Sequence, residues 1–205
     1  MSQSVIVIDD FYPRPQAVRK KALGMEFVEP DDIVGWRTTE GYFPNNFISL
    51  LEKKSGLSIK SIQMPEGTPY DNGVYFLSHN AGDKKETPGV HWDLPASQML
   101  CLVYLTEDVP IECGTSFYKH KKSGLENAPT QQDARRLKQS KESLVNNIER
   151  DGCIPNRFIE MDRIGYKFNR AIIFPCKRLH AATNHYGKNL KTGRLYQVFT
   201  FKTNS

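Results

Sequence analysis

The sequence predicts a mainly β protein of the α+β class: helices first, then a largely antiparallel β domain interrupted by one helical insertion. Two patterns carry this. From Gly73 onward, short β-branched and aromatic runs (GVYFLSHN, QMLCLVYL, TSFY, RAIIFP, LYQVFTF) alternate with Gly, Pro, Asn and Asp. Helix-forming texture is confined to the stretch before Gly73 and to residues between Thr130 and Arg150. At 205 residues and 39% hydrophobic content the chain can bury one sizeable core, so a single domain over 1–205 is expected. Sandwich, barrel and jelly roll are the architectures that such strands build.

Each element has its own signal. VIVIDDFYP reads as a short strand closed by Asp9, Asp10 and Pro13. A helix is expected from about Pro15 to Gly24, with proline in its first turn and glycine past its end. A second is expected from Pro44 to Lys54, ended by Gly56. After TSFY the strand texture stops, and an insertion spans about 119–162. Within it, QQDARRLKQSKESLVNNIER carries apolar residues only at Ala134, Leu137, Leu144, Val145 and Ile148, a thin stripe typical of a surface helix. The insertion is also basic, and a lid over the site that favours an anionic substrate is one expectation for it.

Charge and cysteines narrow the class. Lys and Arg total 28 against 23 acidic residues, a mild excess of +5 that gathers between Lys119 and Arg150, so no specific nucleic-acid signal is read. Cys101, Cys113, Cys153 and Cys176 show no CxxC spacing and are expected to pack as small hydrophobes in a reduced compartment. No signal-peptide pattern and no apolar run near ~20 residues is seen, so a cytoplasmic protein with no membrane partner is expected.

Three features point to chemistry. In His91-Trp92-Asp93 on an extended segment, the imidazole and carboxylate share one face while Trp92 takes the other. The Pro88-Gly89 turn puts His91 at the mouth of a strand. His180 follows the apolar strand NRAIIFP, and two His with one carboxylate form the facial triad of non-haem Fe(II) oxygenases. Arg194 opens the last strand, and a guanidinium held inside a β roll matches a carboxylate bidentately. His185 is the competing distal ligand, but Asn184-His185-Tyr186-Gly187 reads as a loop. His79 and His120 read as surface residues, the latter inside the basic KHKK run.

The order HWD, YLTEDVPIECGTSFYKHKKSG, NRAIIFPCKRLHAA and GRLYQVFTF, preceded by IDDFYPRPQAVRKKAL, resembles the 2-oxoglutarate/Fe(II)-dependent dioxygenase superfamily. It is most similar to the prolyl-hydroxylase-like branch, and within it to small uncharacterised oxygenase-like proteins. The resemblance implies a double-stranded β-helix (jelly roll, cupin-like) with supporting N-terminal helices. It implies Fe(II) held by His91, Asp93 and His180, with positions open to 2-oxoglutarate and O₂. Arg194 is the implied anchor of the distal carboxylate of 2-oxoglutarate, with Lys191 as the alternative, and Tyr104 matches a tyrosine that hydrogen-bonds it. Many relatives carry Ser or Thr two residues after the basic anchor; here Tyr196 stands there, and is expected to touch the co-substrate in its place.

The resemblance implies a hydroxylase that converts 2-oxoglutarate and O₂ to succinate and CO₂ while oxidising a small-molecule or peptide substrate, a prolyl or other amino-acid side chain included. The alternative is a non-enzymatic β-roll binding protein, or a zinc hydrolase using the same His/Asp set.

Overall fold

A computed structural model describes residues 5–30, 34–62, 72–80, 89–96 and 98–204. In chain order the elements are β1 (Ile6–Ile8), α1 (Pro15–Leu23), β2 (Phe27–Val28), β3 (Gly35–Thr38), α2 (Phe47–Ser55), β4 (Ile59–Ser61), β5 (Tyr75–Ser78) and β6 (Met99–Tyr104). Then follow β7 (Thr115–His120), α3 (Gln131–Arg136), α4 (Lys141–Asp151), β8 (Phe158–Ile164), β9 (Ala171–Pro175), β10 (His180–Ala182) and β11 (Arg194–Thr203). The strands expected in VIVI, GVYFLSHN, QMLCLVYL, TSFY, RAIIFP and LYQVFTF form, whereas the segment after Gly89 makes only an isolated bridge from His91 to His180. The first helix starts at Pro15 and is capped by the backbone of Gly24. The second starts three residues later than expected, because Asn46 sits in the left-handed region (φ 60°) and can only precede a helix. It ends where Gly56, at φ 72°, turns the chain away.

Strand pairing builds two antiparallel sheets. The larger runs β1-β9-β6-β11-β5-β3-β2, with β4 also paired to β11, and the smaller runs β10-β7-β8. Side chains alternate across the central strands, so each face of the large sheet has its own apolar layer. Cys101, Val103, Ala171, Ile173, Leu195 and Phe199 face the layer completed by Phe11, Val18, Phe47 and Leu51 from the N-terminal segment and helices. Leu100, Leu102, Tyr104, Ile172, Phe174 and Val198 face the small sheet and meet Phe117 and Cys113. Burial on both faces explains why QMLCLVYL and RAIIFP read as continuous apolar runs. Two antiparallel sheets closed over an interior layer make the double-stranded β-helix, with helices backing one face.

The segment between β7 and β8 departs from expectation. It holds two helices, broken where Lys138 takes φ 53° and Ser140 caps α4. Leu144 and Ile148 of α4 pack with Phe158, Leu179, Ala181 and Val90. Ala181 is the neighbour of His180, so α4 covers the face of the small sheet opposite the interior layer. α4 braces the small sheet from outside, where Leu144 and Ile148 are buried, so this helix is not the part of the insertion that could close over the site. β8, at the edge of that sheet, went unread because most of FIEMDRI is exposed and charged.

His120 is a second correction. It is 1% exposed, with Nδ1 against Ser123 Oγ at 2.8 Å and Nε2 against Asp151 Oδ2 at 3.1 Å. Strand alternation turns it under α4 while Lys119 and Lys121 stay accessible. Three cysteines pack in the interior as expected, but Cys153 is exposed. Among the described residues no helix is long and apolar enough to cross a membrane.

Candidate metal centre

His91 and His180 face each other across the sheet edge. His91 N–H donates to His180 C=O at 3.0 Å, and His180 N–H donates back to His91 C=O at 2.8 Å. This reciprocal pair fixes both side chains on one face as cross-strand neighbours, which is how residues so far apart in sequence meet. Asp93 follows two positions after His91, on the same side, and its N–H donates to Cys176 C=O at 2.9 Å. The Gly89 half of the expected turn is described, while Pro88 lies outside the described residues.

The three side chains lie close enough together to hold a metal ion. His180 Nε2 lies 3.2 Å from Asp93 Oδ2, and His91 Nε2 lies 3.9 Å from Asp93 Oδ1. Among the described residues, His91, Asp93 and His180 are the group whose ligand atoms fall within 4.8 Å of one another. Each imidazole donates its Nδ1–H to a backbone carbonyl: His91 to Gly89 at 3.0 Å, His180 to Arg178 at 2.8 Å. That assigns the Nε2 lone pairs to the centre, the arrangement that ligating histidines adopt. Burial pushes the Asp93 carboxyl up, but the charge and hydrogen bond of His180, aided by His91, outweigh it and hold Asp93 below the ordinary carboxylate range. Phe174 meets the His180 ring edge-on at 4.8 Å and shields it from water. The donor set, two imidazoles and one carboxylate, fits a divalent transition metal.

Backbone packing holds the HxD segment from behind. Val90 N–H donates to Gly152 C=O, just past α4, at 2.8 Å. Gly89 lies so close that an added Cβ would come within 2.5 Å of Gly152 O. Nothing in the primary sequence linked Gly152 to the histidines.

Arg194 begins β11 and is 1% exposed. Its Nε donates to Cys113 C=O at 2.7 Å and its Nη2 to Gly114 C=O at 3.1 Å. The guanidinium lies 5.0 Å from the Tyr104 ring, 4.6 Å from Tyr196 and 5.9 Å from Tyr166. Tyr104 hydrogen-bonds Thr115 Oγ1 through its hydroxyl at 2.8 Å, and both are buried. Tyr196 pairs across the sheet with Tyr104 and stacks on Phe76 at 5.6 Å. Tyr166 lies in no quoted run, and Thr115, although it opens TSFY, carries no local sign of a site role; only folding brings the two to Arg194.

The competing residues stand elsewhere. Lys191 is exposed on a surface loop, where its carbonyl accepts Arg19 Nη2 at 2.9 Å. His185 is outside the convergent triad, with its carbonyl near Cys113 Sγ. His79 stacks on Trp36 at 4.6 Å, away from the interior layer.

A protein-family profile for a family of unknown function, DUF6445, matches residues 87–199, which include all three ligand candidates and Arg194. No curated protein matches the chain in sequence. Among solved structures, the non-heme alpha ketoglutarate dependent epimerase SnoN from nogalamycin biosynthesis is similar with TM-score 0.50 and 12% identity, over 98% of this chain and 79% of that one. The alpha ketoglutarate dependent carbocyclase SnoK of the same biosynthesis gives TM-score 0.48 at 13% identity, over 98% and 80%. A prolyl hydroxylase from Trichoplax adhaerens, solved with a hypoxia inducible factor peptide, gives TM-score 0.47 at 12% identity, over 98% and 84%. At such identities the likeness is one of fold.

Proposed function

The chain belongs to DUF6445, a family of unknown function, and from its own residues we propose that it is a non-haem Fe(II)- and 2-oxoglutarate-dependent dioxygenase. The observation that carries this is the convergence of His91, Asp93 and His180 with both Nδ1 atoms already committed to backbone carbonyls. In this reading the two Nε2 atoms and one Asp93 oxygen hold Fe(II). Arg194, inside its ring of tyrosines, neutralises the distal carboxylate of 2-oxoglutarate. The Tyr104–Thr115 hydroxyl pair turns one proton toward that carboxylate, and Tyr196 covers the guanidinium from the strand interior. Iron so held, with 2-oxoglutarate and O₂, supplies the oxidation that yields succinate and CO₂ while a substrate C–H bond is hydroxylated. Phe174 and Phe117 line the His180 side and keep it dry. We assign the substrate to small molecules or peptides, with prolyl and other amino-acid side chains the first to screen.

The buried arginine among tyrosines favours this reading over a zinc hydrolase, whose open water position asks for no anionic anchor remote from the metal. The test is succinate formation from 2-oxoglutarate and O₂ by the Fe(II)-loaded protein, with the zinc-loaded protein and His180→Ala as controls. Succinate dependent on iron and on His180 supports the assignment. An iron-loaded protein that neither binds 2-oxoglutarate nor consumes it overturns it.

A further inference from the structure

Ser78 ends β5 as a buried residue, 3% exposed, whose Oγ makes no hydrogen bond among the described residues. A hydroxyl removed from water without a partner costs stability, and alanine would fill the same space without that cost. Its surroundings say what it faces. In the β5–β11 register Ser78 lies directly opposite Arg194, and Phe76 opposite Tyr196. Alternation along both strands therefore puts Ser78 and Phe76 on the same face of the sheet as Arg194 and Tyr196, with cross-strand Cβ atoms about 5 Å apart. On its other side Ser78 pairs with Gly35, which sits at φ 133° and whose added Cβ would be 2.0 Å from Leu77 O. Gly35 therefore presents no side chain to Ser78, and across the sheet the hydroxyl has Arg194 for its side-chain neighbour.

The position two residues after Arg194 holds Tyr196, whose ring is engaged on the guanidinium at 4.6 Å and on Phe76 at 5.6 Å. A further hydroxyl for an anion held by Arg194 is offered by the adjacent strand β5, where the residue level with the arginine is a serine without a partner among the described residues. A carboxylate offers about four acceptor sites; a guanidinium fork fills two and the Tyr104–Thr115 pair one, leaving room for one more hydroxyl donor. We propose that Ser78 donates its Oγ–H to the distal carboxylate of 2-oxoglutarate beside Arg194, completing the co-substrate pocket from β5. This rests on the dioxygenase reading above.

The test compares two 2-oxo acids of equal length, 2-oxoglutarate and 2-oxovalerate, which has a methyl in place of the distal carboxylate. Their binding to the Mn(II)-loaded protein is measured by calorimetry, with no turnover required. Ser78→Ala is expected to weaken 2-oxoglutarate about tenfold, equivalent to ~1.4 kcal/mol, and to leave 2-oxovalerate unchanged. Ser78→Cys, close in volume but a poor donor, is expected to behave likewise, and neither metal-free variant should melt below the unaltered protein. If the unaltered protein prefers 2-oxoglutarate but Ser78→Ala binds it equally well, the role of Ser78 is overturned and the dioxygenase reading stands. Equal loss for both ligands, or a variant that melts lower, assigns Ser78 to structure and overturns the proposal. If the unaltered protein does not distinguish the two acids, the dioxygenase reading fails, and this inference with it.

Discussion

Replacing His120 by alanine tests how the metal centre is braced. His120 and Asp151 are 1% and 5% exposed and meet at 3.1 Å, so the substitution leaves a buried carboxylate without its nearest donor. Asp151 is held below the ordinary carboxylate range first by the His120 hydrogen bond, against burial, with Arg157 and Arg150 adding charge. Removing one partner of a buried pair costs roughly 3–5 kcal/mol, and the two arginines left behind place the expected loss near ~3 kcal/mol. For a chain of this length that is a fall in Tm of roughly 6–12 °C. The consequence should reach the site, because Asp151 closes α4 and the next residue, Gly152, accepts the Val90 N–H beside His91. Calorimetry with a double-mutant cycle, His120→Leu and Asp151→Leu, separates the pair from simple loss of packing. The sign with pH is definite: a depressed carboxyl stabilises the fold above its unfolded pKa of about 4 and loses that contribution as pH falls through its lower folded value. Variant and unaltered protein should therefore converge in acid. A cost below ~1 kcal/mol, or a coupling under ~0.5 kcal/mol, would refute the account.

Other perturbations reach different links. Gly89→Ala drives a methyl to within 2.5 Å of Gly152 O, so roughly 1–3 kcal/mol of stability and a measurable weakening of Mn(II) binding are expected; unchanged affinity would detach the brace from the centre. Asp9 is pulled down to about 2 by hydrogen bonds from Arg170 and then Lys167. That carboxylate ties the end of β1 to the start of β9, and since its side chain is 38% exposed, screening leaves Asp9→Asn on the order of 1 kcal/mol. In a urea titration this loss should be full above pH ~4 and fade as pH falls toward 2. Arg194→Gln should raise the Kd for 2-oxoglutarate by at least about 30-fold while Lys191→Ala leaves it unchanged; the reverse result would move the anchor to the surface loop.

Much of this arrangement was legible in the primary sequence because it is written locally. The β-branched and aromatic texture of LYQVFTF, proline at the start of α1 and glycine after α1 and α2 are neighbour effects, and the fold class follows from their order. The HxD spacing is equally local, since an extended backbone puts i and i+2 on one face. What the chain could not show were relations between distant residues on neighbouring strands. His180 joins His91 through reciprocal backbone bonds that no spacing reveals. His120 looks solvated among lysines, and only α4, folding back over the small sheet, buries it. Ser78 is unmarked within the GVYFLSHN run and Tyr166 lies outside every quoted run, and register alone brings Ser78 level with Arg194. The sequence by itself determined the central strands, the two N-terminal helices and which residue types are present to bind a metal. Tertiary structure decided which of them meet, because strand pairing and burial are set by contacts between residues far apart along the chain.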